Sequence, residues 1–493
     1  MEDNSLKNKF LYATKWSAFT EIAAKLISPV TNMILARIVS PEAFGVVATV
    51  TMVISFADMF TDAGFQKYLI QHQFDLEEEK FKNADVAFWT NFAISMFLWL
   101  LIIALRNPIA NLVGNPGLGN VISIAGVQLL LTSFSSIQMA LFKRKFDFKT
   151  LFVVRIISVI VPFAITIPLA LLGFSYWSLI IGSIVIQLSN SVILTIKSQW
   201  KPHFFYSIGI FKNMISFSIW SLIEAISIWF TIWIDMFIIG NSLNQYYLGI
   251  YKSSTTLVNT LMALITASVV PVLFVGLSRL QDDDKRFNEL FFTTQRFTSA
   301  LLLPLGIGVY IYSDLVTKVL LGNKWLEASK IIGVWALTSS LVIIFSSFCS
   351  EVYRAKGRPK LSFISQILHL IVLVPVCIVS SKHGFWTLVY ARALIRMEAI
   401  LVDFLLMKFV IGIPVSRIVK NVMPTGIAAL CMGGVGILLK LIGHGFIWDI
   451  FSIIICALSY VGFLLLFPSM RKEIYSLVGK FKLKIAKTKS FAN

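Results

Sequence analysis

The chain has 493 residues, of which 57% are hydrophobic and only 14% are charged, and its mean hydropathy is +0.81. This composition excludes a soluble globular protein, because such proteins carry about 25% charged residues. The formal net charge of +18 suggests a nucleic-acid partner at first. In a membrane protein, however, basic residues collect on the cytoplasmic side, so the positions of the lysines and arginines decide between these interpretations.

Apolar runs follow one another along the chain, and each is long enough to cross a bilayer as a helix of about 20 residues. We therefore predict an all-α polytopic membrane protein with about fourteen transmembrane helices, an even number that places both termini on one side. The predicted spans are residues 11–37, 43–66, 85–106, 118–141, 150–173, 176–197, 210–239, 246–276, 290–317, 328–350, 361–381, 385–408, 418–440 and 446–467.

The stretch between the first two spans predicts a tight helix-turn-helix. Ser40 is a typical N-cap, Pro41 suits the first helical position, and Glu42 is an acid in the first turn. Proline also disfavours helical geometry in the residue before it, so the first helix must end at Ser40.

Basic residues fall mainly on one side of the predicted spans. The segments on the side of the termini hold 31 lysines and arginines, and the opposite segments hold 7. This asymmetry predicts that both termini are cytoplasmic and explains the net charge without any nucleic acid. The basic tail either lies on the anionic inner leaflet or is solvated.

A weak echo of the first turn occurs about 204 residues later, where Asp235–Gly240 leads into Tyr247–Tyr251 and Gly249 aligns with Gly45. Six spans separate the two copies, which predicts two similarly oriented six-helix lobes, a central cavity and alternating access. The predicted parts are an N-terminal lobe at 1–200, a C-terminal lobe at 201–410, an extra helix pair at 411–467 and a basic cytoplasmic tail at 468–493.

Charged residues inside the spans are the candidate functional residues, because a charge in the membrane normally faces a cavity or a partner. Arg392 and Arg396 lie one turn apart in span 12, with Asp403 further along the same stripe. Two cations against one acid favour an anion such as a phosphate, which guanidinium groups bind well.

The other intramembrane charges each have two interpretations. Lys25, Lys252 and Arg155 are further candidates for binding the anion. Lys252 and Arg155 could instead extend to a membrane interface, and Lys25 could pair with Glu21 on one helix face. The carboxylates that could carry a coupling proton are Glu224, Asp58, Asp62 and Glu21.

Enzyme and cofactor motifs are not found in the sequence. The four cysteines form no CxxC pair, and the five histidines have no metal-ligand spacing. The glycines at 433–436 lack the Gly-Lys-Ser/Thr of a phosphate-binding loop. The predicted outer loops are too short for the catalytic domain of a glycosyltransferase or polymerase. We therefore predict no enzyme activity, no cofactor and no metal site.

Motifs along nearly the whole chain resemble those of one family, the Wzx-type oligosaccharide flippases. This family is the polysaccharide transporter family of the multidrug/oligosaccharidyl-lipid/polysaccharide (MOP) exporter superfamily. One departure is Gly240-Asn241, where the family pattern has Gly-Arg. The motifs are Leu35–Gly45, Asp62–Phe65, Lys143–Phe148, Asp235–Gly240, Leu248–Tyr251, Leu277–Asp282, Leu321–Trp325 and Ala355–Lys360.

The resemblance implies a fold like that of the MATE and other MOP exporters. It also implies that the chain flips undecaprenyl-pyrophosphate-linked oligosaccharide units across the bacterial inner membrane for capsule, O-antigen, lipopolysaccharide or exopolysaccharide biosynthesis. The implied partners are this lipid-linked saccharide, membrane lipids and other polysaccharide assembly proteins. An ion gradient, the membrane potential or product removal would supply the drive.

Three alternatives compete with this interpretation. A cation-coupled multidrug exporter of the same superfamily would have twelve spans and an acidic cavity, which the two arginines of span 12 argue against. A membrane glycosyltransferase or polymerase would need a larger outer loop. A purely structural membrane protein would leave the intramembrane charges unexplained.

Overall fold

The computed structural model describes residue 27 and residues 29–62, 64–468 and 470–471. Over these residues the regular secondary structure is helical, with no strand. Helices satisfy all their backbone hydrogen bonds internally, which is what a chain crossing a bilayer requires. The predicted all-α membrane fold is therefore confirmed.

The first half of the described chain holds ten helices, two of which are joined by a π-helical turn at Pro162–Thr166. A proline cannot donate the regular helical hydrogen bond, which accounts for the wider turn there. The helices are α1 (29–38), α2 (Pro41–Asp62), α3 (Phe65–Gln71), α4 (Glu77–Ala104), α5 (Arg106–Leu112), α6 (Gly119–Ala125), α7 (Val127–Arg144), α8 (Phe148–Val161), α9 (Ile167–Leu171) and α10 (Tyr176–Lys197).

The second half of the described chain contains longer helices and two further π-helical turns, at Ile343–Ser347 and Met407–Ile411. The helices are α11 (Ile208–Ser242), α12 (Gln245–Arg279), α13 (Asp284–Ile311), α14 (Ser313–Leu320), α15 (Ala328–Val342), α16 (Phe348–Ala355), α17 (Lys360–Ser381), α18 (Phe385–Leu406), α19 (Val415–Ile442) and α20 (Phe446–Leu465).

Among the described residues, ten helical segments are long and apolar enough to cross a membrane, or up to twelve if each of two bent helix pairs is one span. The predicted count of about fourteen is not confirmed. The predicted first span lies mostly outside the described residues. Helix α18 has the length of a span but is too charged to qualify by composition, because it carries Arg392, Arg396, Glu398 and Asp403.

The chain divides into two compact units. Unit 1 comprises Met1–Ser253, Leu320–Trp325 and Leu370–Arg392, and unit 2 comprises the remaining residues. In unit 1, α7 packs on α4 and α10, whereas in unit 2, α13 packs on α15 and α19. The lobe boundaries predicted from the sequence stay a prediction.

The turn between α1 and α2 has the predicted form. Helix α1 ends before Ser40, and α2 begins at Pro41 with Glu42 in its first turn. The hydroxyl of Ser40 accepts a hydrogen bond from the amide of Ala43 at 3.4 Å, so Ser40 is the N-cap of α2.

The first turns of α2 and α12 cross at two glycines in unit 1. A Cβ atom at Gly45 would collide with the carbonyl of Gln245, and one at Gly249 would collide with the carbonyl of Pro41. The contacts are reciprocal, because each glycine meets the residue four positions before the other glycine. These are the two glycines that the sequence echo aligns, and their hydrogen side chains allow the backbones to approach closely.

The loop Leu320–Trp325 packs against the same turn in unit 1. The indole Nε1 of Trp325 donates a hydrogen bond to the carbonyl oxygen of Ala36 at 2.7 Å, and the Trp325 ring packs edge-to-face on Phe44. Trp325 is fully buried. Three motifs that are distant in the sequence therefore meet at the α1–α2 turn.

We expect Gly249→Ala to destabilise the protein, because the added methyl group overlaps the carbonyl of Pro41. Overpacking of this kind costs about 1–3 kcal/mol. The measurement is the unfolding temperature of the purified protein in detergent, determined from the loss of the monodisperse species on heating.

Gly434→Ala in α19 is the matched control, because nothing lies within 4 Å of a Cβ atom added at Gly434. We expect this helix-interior alanine to leave the protein as stable as before or slightly more stable. Equal unfolding temperatures for the two variants would contradict a tight crossing at Gly249.

Candidate functional site

Helix α18 carries four charged side chains, at Arg392, Arg396, Glu398 and Asp403. The sequence predicts an anion site from two of them, Arg392 and Arg396, with Asp403 as the one nearby acid. The structure gives each arginine a different environment, so the two are described separately.

Arg392 is buried in unit 1, where its Nε donates a hydrogen bond to Oδ2 of Asp235 on α11 at 2.9 Å. Arg392 is 6% exposed and Asp235 is 3% exposed. The hydroxyl of Tyr251 on α12 donates to the same carboxylate oxygen at 2.7 Å. Oδ1 of Asp235 accepts from the amide of Met236 at 2.8 Å. These three donors satisfy the hydrogen-bonding capacity of a buried carboxylate.

Lys252 adds a second cation to this cluster. Its Nζ lies 4.0 Å from the centre of the Trp233 ring, a cation–π distance, and the charge of Asp235 also acts on it. With both cations and Asp235 charged, the cluster carries one net positive charge. The cluster of Asp235, Arg392, Tyr251, Lys252 and Trp233 is called the buried-pair cluster below.

The buried-pair cluster corrects one part of the sequence interpretation. Helical spacing predicts Asp403 as the acid near both arginines, but Arg392 pairs with Asp235 instead. In the sequence, Asp235 stands out only as part of a repeated motif. Because 157 positions separate it from Arg392, no local spacing indicates the pair.

Arg396 lies in unit 2, where three of its contacts are with neutral groups. Its Nη1 donates to Oγ of Ser339 at 2.9 Å and lies 3.3 Å from Oγ1 of Thr338, both on α15. Its guanidinium carbon lies 4.3 Å from the centre of the Trp335 ring. Two hydroxyls and an indole thus surround a guanidinium that is only partly buried. Phosphate oxygens and sugar rings suit such a group of side chains.

Asp403 is buried in unit 2 among hydroxyl groups. Ser346, in the π-helical turn Ile343–Ser347, donates to Oδ2 at 2.5 Å, and the Tyr353 hydroxyl lies 3.1 Å from Oδ1. These contacts hold α18 to the helix pair α15–α16, and Tyr353 belongs to a core that includes Phe287, Phe291 and Phe348. Asp403 therefore has a structural function in unit 2.

A third pair in unit 2 joins α17 and α18. Nδ1 of His369 lies 2.9 Å from Oε2 of Glu398. The sequence analysis names neither residue. A count of every ionisable residue in span 12 would have found Glu398, but its histidine partner shows no pattern in the sequence.

The remaining predicted residues have varied positions. Arg155 is exposed on α8, and Asp58 is half-buried on α2, where it accepts a hydrogen bond from the hydroxyl of Thr61 at 3.1 Å. Glu21 and Lys25 lie outside the described residues. The side chains of Asp62 and Glu224 also lie outside the described part. Within that part, no group of three or more His, Cys, Asp or Glu residues could hold a metal ion.

Comparison with known proteins identifies related sequences. A family model described as "Polysaccharide biosynthesis protein" matches residues 34–330. The succinoglycan biosynthesis transport protein ExoT of Rhizobium meliloti (strain 1021) is 27% identical over 68% of this chain and 67% of its own length. The lipopolysaccharide biosynthesis protein WzxC of Escherichia coli (strain K12) is 19% identical over 77% of this chain and 76% of its own length.

Among solved structures, the lipid II flippase MurJ in an inward closed conformation has a TM-score of 0.74 to this chain. The match covers 93% of this chain and 99% of MurJ, with 17% sequence identity. At this identity the likeness shows a shared fold, and the exporter-like fold predicted from the sequence is confirmed.

We expect Asp235→Asn or Arg392→Gln alone to destabilise the protein strongly, because each leaves the other charge buried without its partner. Breaking a buried pair in this way costs about 3–5 kcal/mol. The double variant should lower the free energy of unfolding by clearly less than the sum of the two single variants. A double-mutant cycle of unfolding in detergent measures this coupling.

The exposed pair between Glu78 and Lys82 on α4 is the control. Its Nζ–Oε1 distance is 2.8 Å, but the side chains are 75% and 46% exposed, so removing either should change stability little. Additive costs at Asp235 and Arg392 would contradict a coupled buried pair.

Proposed function

The chain belongs to the family of polysaccharide biosynthesis proteins, and we propose on this premise that it is a flippase for lipid-linked saccharides. The family match carries the proposal. ExoT, a relative along two thirds of the chain, is named as a transport protein. The fold shared with MurJ, itself a flippase, supports a transporter rather than a glycosyltransferase or polymerase.

The proposed substrate is an undecaprenyl-pyrophosphate-linked oligosaccharide unit. Its pyrophosphate is anionic, its saccharide is polar and its lipid tail is apolar. A protein that carries it must therefore offer cations and hydrogen-bonding groups within the membrane while leaving the tail in lipid. Charged side chains in membrane-spanning helices are energetically costly, and binding of a polar substrate would explain their presence.

Arg396 is the proposed pyrophosphate ligand in unit 2. A guanidinium group can bind two phosphate oxygens side by side. The hydroxyls of Thr338 and Ser339 and the ring of Trp335 already contact Arg396, and the same groups can bind sugar hydroxyls and stack on sugar rings. Arg396 therefore combines charge with the neutral contacts that a saccharide needs.

The buried-pair cluster is the proposed second source of positive charge. Asp235 pairs with Arg392, and Lys252 adds a second cation to the cluster. We propose that Arg392 serves mainly to hold α18 to α11 and that Lys252 attracts the anionic head group. Arg155 and Lys25 remain proposed contributors, and Asp58, Asp62, Glu21 and Glu224 remain proposed carriers of a coupling ion.

The proposed mechanism is alternating access between two lobes, at 1–200 and 201–410, with residues 411–467 as an additional helix pair. The distribution of basic residues supports a cytoplasmic position for both termini in a bacterial inner membrane. No phosphate-binding loop motif occurs in the sequence, so the proposed drive is a gradient rather than nucleotide hydrolysis. Other polysaccharide assembly proteins are proposed partners.

The multidrug alternative has less support. Both named relatives belong to saccharide biosynthesis. An exporter of organic cations needs an acidic binding surface, whereas Arg396 and Lys252 provide positive charge. The saccharide substrate therefore fits the charge of the described side chains better.

We expect the protein in liposomes to expose an undecaprenyl-pyrophosphate oligosaccharide, loaded in the inner leaflet, to a glycan-cleaving enzyme added outside. Arg396→Gln should slow this exposure by about ten- to a hundredfold, because charge-assisted hydrogen bonds contribute about 1.5–3 kcal/mol. The measurement is the rate at which the labelled saccharide is cleaved.

Lys440→Gln is the control for loss of a cation in a spanning helix. The Nζ of Lys440 donates to the carbonyl of Ile311 at 2.8 Å, and we place no substrate there. The Lys440→Gln variant should flip the saccharide lipid at the wild-type rate. Wild-type protein that exports a cationic drug and leaves every saccharide lipid in place would refute the proposed function.

A further inference from the structure

A histidine and a carboxylate meet between two membrane helices of unit 2. His369 on α17 and Glu398 on α18 approach to 2.9 Å, and their side chains are 11% and 23% exposed. Histidine is the side chain whose charge ordinarily changes between pH 5 and pH 8. Neither residue contributes to the substrate contacts described above.

This pair can change its charge without breaking. A neutral imidazole and a carboxylate together carry one negative charge, and with one added proton the pair is neutral. A hydrogen bond is available in both forms. The buried-pair cluster differs in this respect, because an arginine keeps its proton at every physiological pH. Of these two pairs, the His369–Glu398 pair is therefore the one suited to reversible proton binding.

The pair is less enclosed than the buried-pair cluster. The side chain of Glu398 is 23% exposed, whereas that of Asp235 in unit 1 is 4% exposed. Asp403 receives hydrogen bonds from Ser346 and Tyr353. Arg396 and Asp403 lie on the same helix as Glu398, and the charge of Glu398 acts on Asp403.

We propose that the His369–Glu398 pair is a proton site that couples flipping to a proton gradient, in addition to the candidate carboxylates named above. A proton binds to the pair on the side of high proton activity and is released on the other side as the saccharide lipid crosses. This inference rests on the proposed function.

The experiment uses the liposome flipping assay with a pH-sensitive dye inside the vesicles. Flipping and proton entry are followed together, with and without an imposed gradient of about two pH units, a proton-activity ratio of about 100. The variants are His369→Gln and Glu398→Gln, each of which can still form a hydrogen bond between α17 and α18. Glu398→Asp keeps the carboxylate.

His383→Gln is the matched histidine control, because His383 is exposed after the end of α17 and its Nδ1 lies 3.0 Å from the carbonyl of Val379. We expect the gradient to accelerate flipping at least fivefold in the wild type, in His383→Gln and in Glu398→Asp. In His369→Gln and Glu398→Gln the acceleration and the coupled proton entry should be lost, while flipping without a gradient persists.

The outcomes separate the two proposals. A wild type that flips equally with and without the gradient, or amide variants that keep the acceleration and the proton entry, would overturn the proton site and leave the flippase intact. A wild type that flips no saccharide lipid under either condition would overturn the proposed function itself. Unfolding temperatures of all variants, measured in detergent, show that each is folded before the assay.

Discussion

The crossing of α2 and α12 is the constraint on which unit 1 depends. Gly45 and Gly249 allow the backbones of the first turns to contact each other directly, and neither position has room for a larger side chain. Two residues beyond Gly249, Tyr251 donates to Asp235, and the next residue, Lys252, lies over Trp233. The crossing therefore fixes where the Tyr251 hydroxyl and the Lys252 ammonium group meet α11. The geometry of the buried-pair cluster thus depends on how closely the two backbones pack.

The two arginines of α18 are stabilised in different ways. Arg392 and Asp235 are buried together and share a hydrogen bond, an arrangement that fixes α18 against α11 and lowers the cost of both charges. Arg396 instead contacts two hydroxyls and an indole, which stabilise the guanidinium. A carboxylate in that position would compete with a phosphate for the guanidinium, whereas hydroxyls can remain in place and bind the saccharide as well.

Local and compositional features were predictable from the sequence, and long-range partners were not. Hydropathy predicts the membrane helices because a bilayer imposes one length and one composition, and Ser40 and Pro41 predict their turn because capping involves only neighbours. The partner of Arg392 could not be predicted, because it depends on how α11 and α18 pack. The assignment of Asp403 to the arginines followed helical spacing alone, and the hydroxyls that hold Asp403 lie on other helices.

The chemistry of the three polar groups on α18 argues for separate functions along one helix. An arginine–aspartate pair can hold helices together but cannot respond to pH, because the guanidinium does not release its proton. A guanidinium among hydroxyls can bind an anion but has no group that exchanges a proton. A histidine–glutamate pair can do so. Glu398 follows Arg396 by two residues, so the proposed anion site and the proposed proton site share one helix and move together when that helix moves.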